Sequence, residues 1–434
     1  MSNDRRVAVV GLGYVGLPLA LAFSEAGLTV EGIDTSDVRV RELNDRHSPI
    51  DDVTDERLGA GLDSGMRVVN QSDSDIAAAD VVFVCVPTPI TSTKDPDLTP
   101  VLRAAKFLRR RIRAGQLVIL QSTTYPGTTM GPFREVLEAG SLRAGVDFDL
   151  AFAPERVNPG DPASSGRAIP RLVGGSTPEA TRRAAAVLQN INDVVVQLSS
   201  PDAAEMAKLL ENTFRNVNIA FVNQLALLSE RMGLDVWEII DAAATKPFGF
   251  MRFAPGPGVG GHCIPVDPYY LAWRAREFDF TDRFIELAGD INLAMPRHVI
   301  DLVAEALNER AKALKGSRVG VIGVAFKPDV QDARNSPAAE VVSGLGERGA
   351  EVEFHDPHVE TFRDAAGVLR SSTALETLLT TSDVVVVLVR HRAVDWPLVY
   401  AQADLVVDSV NSVAGQQVKP RQVLRLGASW SIPR

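Results

Sequence analysis

The sequence predicts an α/β chain in which two parallel-sheet domains flank a helical middle, and three observations carry that prediction. Short β-rich runs alternate with helical patterns through the first two hundred residues, the texture turns helical from Pro201, and the alternation restarts after Lys315-Gly316. Residues 6–10 (RVAVV) form a buried-type strand, 18–26 a helix with alanine and leucine on its face, and 29–33 the next strand, ended by Asp34. Residues 80–86 (DVVFVCV), 117–120 and 148–152 supply further strands. A long helical pattern opens at Pro201, with Asp202 as its expected N-cap, and runs past Glu230. A second covers 284–314 despite Pro296 inside it. The loop between them, 246–268, is dense in proline and glycine, and such loops in compact proteins carry function.

In the last third, VGVIG from Val319 echoes VAVVG from Val7, DVVVVLV from Asp383 echoes DVVFVCV from Asp80, and 405–408 echoes 117–120. The same strand order twice predicts three domains: 1–200, 201–315 and 316–434.

Composition narrows the class. The 434 residues are 45% hydrophobic and 23% charged, enough for a packed core and too apolar for wholesale disorder. A net charge of −10 argues against a general nucleic-acid or anionic-membrane binder. No apolar run approaches the roughly 18 residues of a membrane span. The start, MSNDRRVAVVGLG, enters a glycine motif at once and leaves no room for a signal peptide. Two cysteines, Cys85 and Cys263, cannot form a disulfide framework, so a reduced, cytoplasmic protein is expected.

Gly11-Leu12-Gly13-Tyr14-Val15-Gly16 fits G-x-G-x-x-G between a strand and a helix. Its glycines permit a tight turn and close backbone approach to a pyrophosphate at the helix N-terminus. Asp34 closes the second strand, where a carboxylate accepts from adenosine ribose hydroxyls and repels a 2′-phosphate, which favours NAD over NADP. Arg39, one helical turn on, keeps that preference open. The second copy, GVIGVAFKP from Gly320, lacks a third glycine at the required spacing and places Lys327 and Pro328 where a helix should begin. Two Rossmann-like domains joined by a central helical region with a long connecting helix is therefore the expected architecture, with a second NAD site not expected.

Cys263, in PGPGVGGHCIPVDP from Pro255, is expected where a glycine loop turns into a helix, a setting that stabilises the nucleophilic thiolate. Asp267 is within reach if that turn is helical. Cys85, inside an apolar strand, reads as structural. His262 beside Cys263 makes no metal site by itself, and His355 and His358 flanking Asp356-Pro357 fall short of the three or four ligands zinc needs, so no metal is expected. Lys208 and Asn212 share one helix face at i, i+4, either to hold a substrate oxygen or simply in solvent.

These residues stand in ordered motifs: VAVVGLGYVGLPLA from Val7, VPTP from Val86, QSTTYPGTT from Gln121, FAPERVNPGD from Phe152, AEMAKLLENTFRNVNIAFVN from Ala204, PGPGVGGHCIPVDP from Pro255 and GVAFKPDVQDARNSPA from Gly323. Together they resemble the UDP-glucose/GDP-mannose dehydrogenase family over nearly the whole chain. The resemblance implies oxidation of the C6 hydroxymethyl of a nucleotide-linked sugar to a carboxylate with two NAD per turnover. It also implies an N-terminal NAD domain, a central dimerisation region giving a homodimer, and a C-terminal UDP-binding domain. It makes Cys263 the nucleophile that traps the aldehyde as a thiohemiacetal, oxidised to a thioester and then hydrolysed. It has Lys208 stabilising the oxyanions, and Asp267 with Thr123 positioning a water. Asn212 contacts a sugar or thioester oxygen, and Glu155 serves thioester hydrolysis. Thr88 and Thr123 join Gly11, Gly13, Tyr14, Val15, Gly16, Asp34 and Arg39 on the cofactor. Arg156, Arg252, Phe253, Gly260, Lys327 and Arg334 join Glu155, Lys208 and Asn212 on the substrate.

Within the family, Val266 stands where members acting on UDP-glucose commonly have lysine. The stretch around Cys263, with His262, is similar to the branch acting on UDP-N-acetylhexosamines. UDP-N-acetylglucosamine is the expected substrate, with UDP-N-acetylmannosamine, UDP-N-acetylgalactosamine and UDP-glucose as alternatives. Two rival readings are a non-catalytic NAD- and nucleotide-sugar-sensing protein and a two-electron hydroxyacid dehydrogenase. Neither needs Cys263.

Overall fold

The computed structural model describes residues 6–50, 52–91, 93–156 and 167–430. The end of the FAPERVNPGD motif, 157–161, lies outside them. The chain divides into two compact units, Met1–Glu211 with Val266–Thr281, and Asn212–Pro265 with Asp282–Arg434.

In the first unit, β1 (Arg6–Val10), β2 (Thr29–Asp34), β3 (Arg67–Asn70), β4 (Val81–Val84), β5 (Leu117–Leu120), β6 (Asp149–Phe152), β7 (Arg171–Gly175) and β8 (Val195–Leu198) form one sheet in the order β3-β2-β1-β4-β5-β6-β7-β8. Neighbours are parallel except β6 with β7. Strand residues alternate between two buried clusters. Val7, Val9, Val81 and Phe83 pack on one face, and Ala8, Val10, Val82 and Val84 on the other. Covering both faces is what makes these strands read as unbroken apolar runs. Each such Val or Phe contributes roughly 1.5–3 kcal/mol.

The second unit repeats the plan. Strands β9 (Arg318–Ile322), β10 (Glu351–His355), β13 (Val384–Val387), β14 (Val406–Asp408) and β15 (Val423–Arg425) run parallel in the order β10-β9-β13-β14-β15, and β11 (Thr361–Arg363) pairs antiparallel with β12 (Leu369–Ser371). Val319, Val321, Val384 and Val386 face one cluster, Ile322, Val385 and Val387 another.

The long helix Pro201–Met232 contributes residues to both units. Its start corrects one expectation: Pro201 is already helical, and Ser200 Oγ accepts from the Ala203 N–H at 3.2 Å, so Ser200 rather than Asp202 is the cap. The helix Arg283–Asn308 runs unbroken through Pro296, which is buried. Among the described residues no helix is long and apolar enough to cross a membrane.

Candidate active site

The glycine turn is built as its spacing predicts. Gly11 takes φ 93°, and a Cβ there would lie 2.5 Å from the Cys85 carbonyl oxygen; at Gly16 it would lie 1.8 Å from that of Gly11. Around Gly13 nothing of the protein beyond its two chain neighbours lies within 4 Å of a Cβ position. Two glycines close the turn against the chain, and the third leaves open the space a pyrophosphate needs. The helix then starts directly, at Gly16, two residues earlier than expected. Asp34, half-buried, accepts from the Leu12 N–H at 2.9 Å and the Ser36 N–H at 2.9 Å. Arg39 donates to the Leu12 carbonyl at 3.0 Å, so it lies along the glycine turn. Tyr14 is exposed and Val15 half-buried. This arrangement fits NAD.

Thr123 lies half-buried in a loop held from several sides. Gln121 Nε2 donates to Glu155 Oε2 at 2.9 Å, and Ser122 Oγ to the Val86 carbonyl at 2.7 Å. Glu205, on the helix three residues before Lys208, takes the rest: Oε2 accepts from the Gly127 N–H (2.7 Å), and Oε1 from the Thr129 N–H (2.9 Å), Thr129 Oγ1 (2.7 Å) and Thr124 Oγ1 (3.2 Å). Burial pushes this carboxyl up to about 7 despite those donors. Sequence reasoning missed Glu205, because its partners lie far back in the chain. Its one signal was acidity amid an apolar helical stretch.

Glu155 Oε2 also pairs with Arg171 at 2.6 Å, and Glu155 Oε1 accepts from the Arg156 N–H at 2.8 Å. Arg156 reaches Glu211 at 2.6 Å and the Pro170 carbonyl at 2.6 Å. Tyr270, which bonds with Thr88, donates to the Pro89 carbonyl at 2.9 Å. These contacts fix the helix Asp267–Arg276, in which Asp267 is the first residue and is buried. Lys208 and Asn212 are buried at 8% and 6% exposure, which removes the solvent-facing reading of that pair.

Cys263 is exposed, Cys85 buried. Burial pushes the Cys85 thiol up, out of reach of ionisation. The expectation for Cys263 needs a correction: the residues that follow it form a turn, and the helix begins only at Asp267. The loop around Cys263 is held instead by side chains. His262 Nε2 lies 2.8 Å from Asp332 Oδ2, and Asp332 also binds Arg334 Nη2 at 2.7 Å. Burial opposes ionisation of Asp332, but its bonds to His262 and Arg334 hold the carboxyl well below the usual range. Gly260 and Gly261 lie against Phe326, and a Cβ on either would come within 3.0 Å of its side chain. Lys327 Nζ stands 6.0 Å from the Phe326 ring centre. Arg252 pairs with Asp241 at 2.8 Å, and Phe253 meets Phe214 edge-on at 5.8 Å.

The two histidines weighed as ligands separate. His355 Nδ1 binds the Thr373 carbonyl at 2.8 Å. His358 lies near Asp329 and His391. His391, however, accepts the Asp329 N–H on Nδ1 (3.0 Å) and donates from Nε2 to Asp356 (3.1 Å). With both ring nitrogens committed, His391 has no lone pair for an ion, and two side chains are too few for a zinc site.

Models of the UDP-glucose/GDP-mannose dehydrogenase family match the chain in order: the NAD binding domain over residues 5–192, the central domain over 202–294 and the UDP binding domain over 320–414. A UDP-N-acetyl-D-glucosamine 6-dehydrogenase of Pseudomonas aeruginosa is 38% identical over 82% of this chain and 84% of its own. A UDP-N-acetyl-D-mannosamine dehydrogenase of Pyrococcus horikoshii is 36% identical over 90% and 91%. The solved structure of a UDP-D-ManNAc dehydrogenase from Pyrococcus horikoshii superposes with a TM-score of 0.88 at 33% identity, covering 97% of this chain and 99% of that one. With its glycine turn, its two largely parallel sheets and these matches along its length, the chain belongs to the UDP-glucose/GDP-mannose dehydrogenase family and is an NAD-dependent UDP-sugar dehydrogenase.

Proposed function

We propose that the enzyme oxidises the C6 hydroxyl of UDP-N-acetylglucosamine to the carboxylate in two successive two-electron oxidations, through a thiohemiacetal and a thioester on Cys263. The observation that carries this reading is the contrast between the thiols: Cys263 is exposed on a loop clamped by Asp332, whereas Cys85 is sealed in a sheet. Held by Gly11, Gly13, Gly16 and Asp34, NAD supplies a hydride acceptor when bound.

The chain's own groups do the rest. The Cys263 sulfur adds to the aldehyde carbon, and the carbonyl oxygen takes up a proton. The buried Lys208 ammonium stabilises that oxygen while it is anionic, worth more than in water because its surroundings are dry. Asn212, one turn along, donates to a sugar or thioester oxygen. Asp267 and Thr123 orient the water for the first proton removal. Glu155, fixed by Arg171 and Gln121, serves hydrolysis, in which water adds to the thioester carbon and the thiolate leaves. Lys327, Arg334 and Arg252 supply positive charge for the pyrophosphate.

A second substrate, UDP-N-acetylmannosamine, is favoured by the relative 36% identical over 90% of the chain. We also infer a homodimer through the helix Pro201–Met232. Met206, Leu210, Phe214, Phe221, Leu228 and Met232 are exposed and recur along one side of it at helical spacing.

Protein supplied with UDP-N-acetylglucosamine and NAD should yield two NADH per uronate. A ratio of one, or no turnover on any UDP-sugar, overturns the proposal. Cys263→Ser should abolish uronate formation while leaving NAD binding intact. Ranking the four UDP-sugars by kcat/KM decides the substrate.

A further inference from the structure

The helix Pro201–Met232 carries three asparagine side chains on its inner side that point away from one another in role. Asn212 belongs to the reading above. Asn216 and Asn223, one and three turns further, are buried and join a third buried asparagine, Asn292, from the helix Arg283–Asn308. Asn223 Nδ2 donates to Asn292 Oδ1 at 3.0 Å, and Asn292 Nδ2 donates to the Asn216 carbonyl at 3.2 Å. The two outward ends of this chain of amides both land on the loop that bears Cys263. Asn223 Oδ1 accepts the Gly256 N–H at 2.9 Å, and Asn216 Nδ2 donates to the Ile264 carbonyl at 3.1 Å, one residue past the thiol.

Two details show that the loop is fitted to this support. Pro296 has no N–H to give the Asn292 carbonyl four residues earlier. Gly258, at φ 130°, passes so close to that carbonyl that a Cβ would lie 3.2 Å from its oxygen. Just before the thiol, Asn335 Nδ2 donates to the Gly261 carbonyl at 3.3 Å and Asp332 holds His262. Buried amides that satisfy one another are costly to disturb, and they define a single geometry. A thiol attacking a carbonyl needs that geometry, since a 1 Å misplacement costs about 10²-fold in rate.

We propose that Asn216, Asn223 and Asn292 are positioning residues for Cys263, fixing its loop at Gly256 and at Ile264 and so setting where the sulfur stands. The inference rests on Cys263 being the nucleophile. Asn216→Asp keeps the shape and removes the donor to Ile264. Asn292→Ala touches no loop residue by side chain, yet breaks the support. Both should lower kcat about 10–100-fold, with KM for NAD and for UDP-N-acetylglucosamine changed less than about threefold. Both should also change the rate of Cys263 alkylation by iodoacetamide at least threefold, mapped by mass spectrometry below the melting temperature, with unmodified Cys85 reporting that the fold is intact.

Wild-type kcat and wild-type alkylation in both variants would overturn the proposal, even with lowered melting temperatures, because that outcome assigns the amides to stability alone. Failure of the nucleophile reading looks different: Cys263→Ser would keep turnover, while the alkylation rates would still report whether the amides place the sulfur.

Discussion

Gly11 and Gly323 close the same turn in two sheets. Both take left-handed φ values, 93° and 84°, and both donate their N–H to a carbonyl near the end of the neighbouring strand, Ile33 at 2.8 Å and His355 at 2.9 Å. The next amide in each, Leu12 or Val324, donates to the aspartate that comes next in the chain after that carbonyl, Asp34 at 2.9 Å or Asp356 at 2.7 Å. From there they part. After Gly11 the helix starts at Gly16; after Gly323 it waits until Pro337, and the segment between carries Lys327, Asp332 and Arg334. Asp34 is half-buried, whereas Asp356 is buried and takes five donors: the N–H groups of Val324, Ala325, His358 and Val359, and His391 Nε2. One turn presents a carboxylate and a helix N-terminus to a ligand. Its copy has consumed the carboxylate in its own structure, and with it the ribose-binding feature of a dinucleotide site.

The largest expected effect comes from removing each acid. Asp356→Ala strands four amides and an imidazole in a dry interior, a loss of about 3–5 kcal/mol. It should unfold the second unit early in a urea titration, as followed by circular dichroism. Asp34→Ala should cost about 1 kcal/mol and instead raise the Kd for NAD tenfold or more, measured by calorimetry. Equal stability losses in the two variants would show that the turns are used alike.

A pH series sharpens the same contrast with Glu205 as the opposing case. Burial raises the Asp356 carboxyl, but the His391 bond and the surrounding amides outweigh it and bring the group down to about 2. Its folded value lies below its unfolded one, so its contribution of about 2 kcal/mol is present above pH 4 and is lost as pH falls through 2. Glu205 is raised to about 7. The folded state therefore holds the proton that the unfolded chain releases near 4.5, and about 3 kcal/mol present below that value is lost as pH rises through 7. The melting temperature should fall between pH 5 and 8, and Glu205→Gln should flatten that fall. A wild-type slope in the variant would assign the pH dependence to another group.

Much of this was legible because parallel strands covered on both faces are continuous apolar runs. Residues 6–10 and 117–120 read as β1 and β5 without ambiguity. By contrast, β8 (VVQL) is short and its middle residues face solvent, and β7 ends in Gly174-Gly175 packed against Ser200 and Thr181, so neither has the signature of a core strand. Chemistry borne by a local motif, such as Gly11–Gly16 or Cys263, was visible. Support drawn from distant residues was not: Glu205 holds a loop 76–81 residues back, and Asn292 meets Asn216 76 residues away. The sequence pointed to Asp202 and not to Ser200 as the cap, because both residue types suit the role and only the helix's start decides between them.

The smallest structural effect is expected at Gly13, and for that reason it tests the cofactor cradle most cleanly. A Cβ there meets no atom beyond its chain neighbours within 4 Å, so Gly13→Ala leaves the turn unstrained and removes some freedom from the unfolded chain. Its stability should change by less than about 1 kcal/mol. The space it fills is the one the glycine motif keeps for the pyrophosphate, so the Kd for NAD should rise at least tenfold, while binding of UDP, measured by calorimetry on the same sample, stays at the wild-type value. If Gly13→Ala bound NAD as the wild type does, the open side of the first turn would not be where the phosphates lie, and the difference between the two glycine turns would reduce to the burial of their acids.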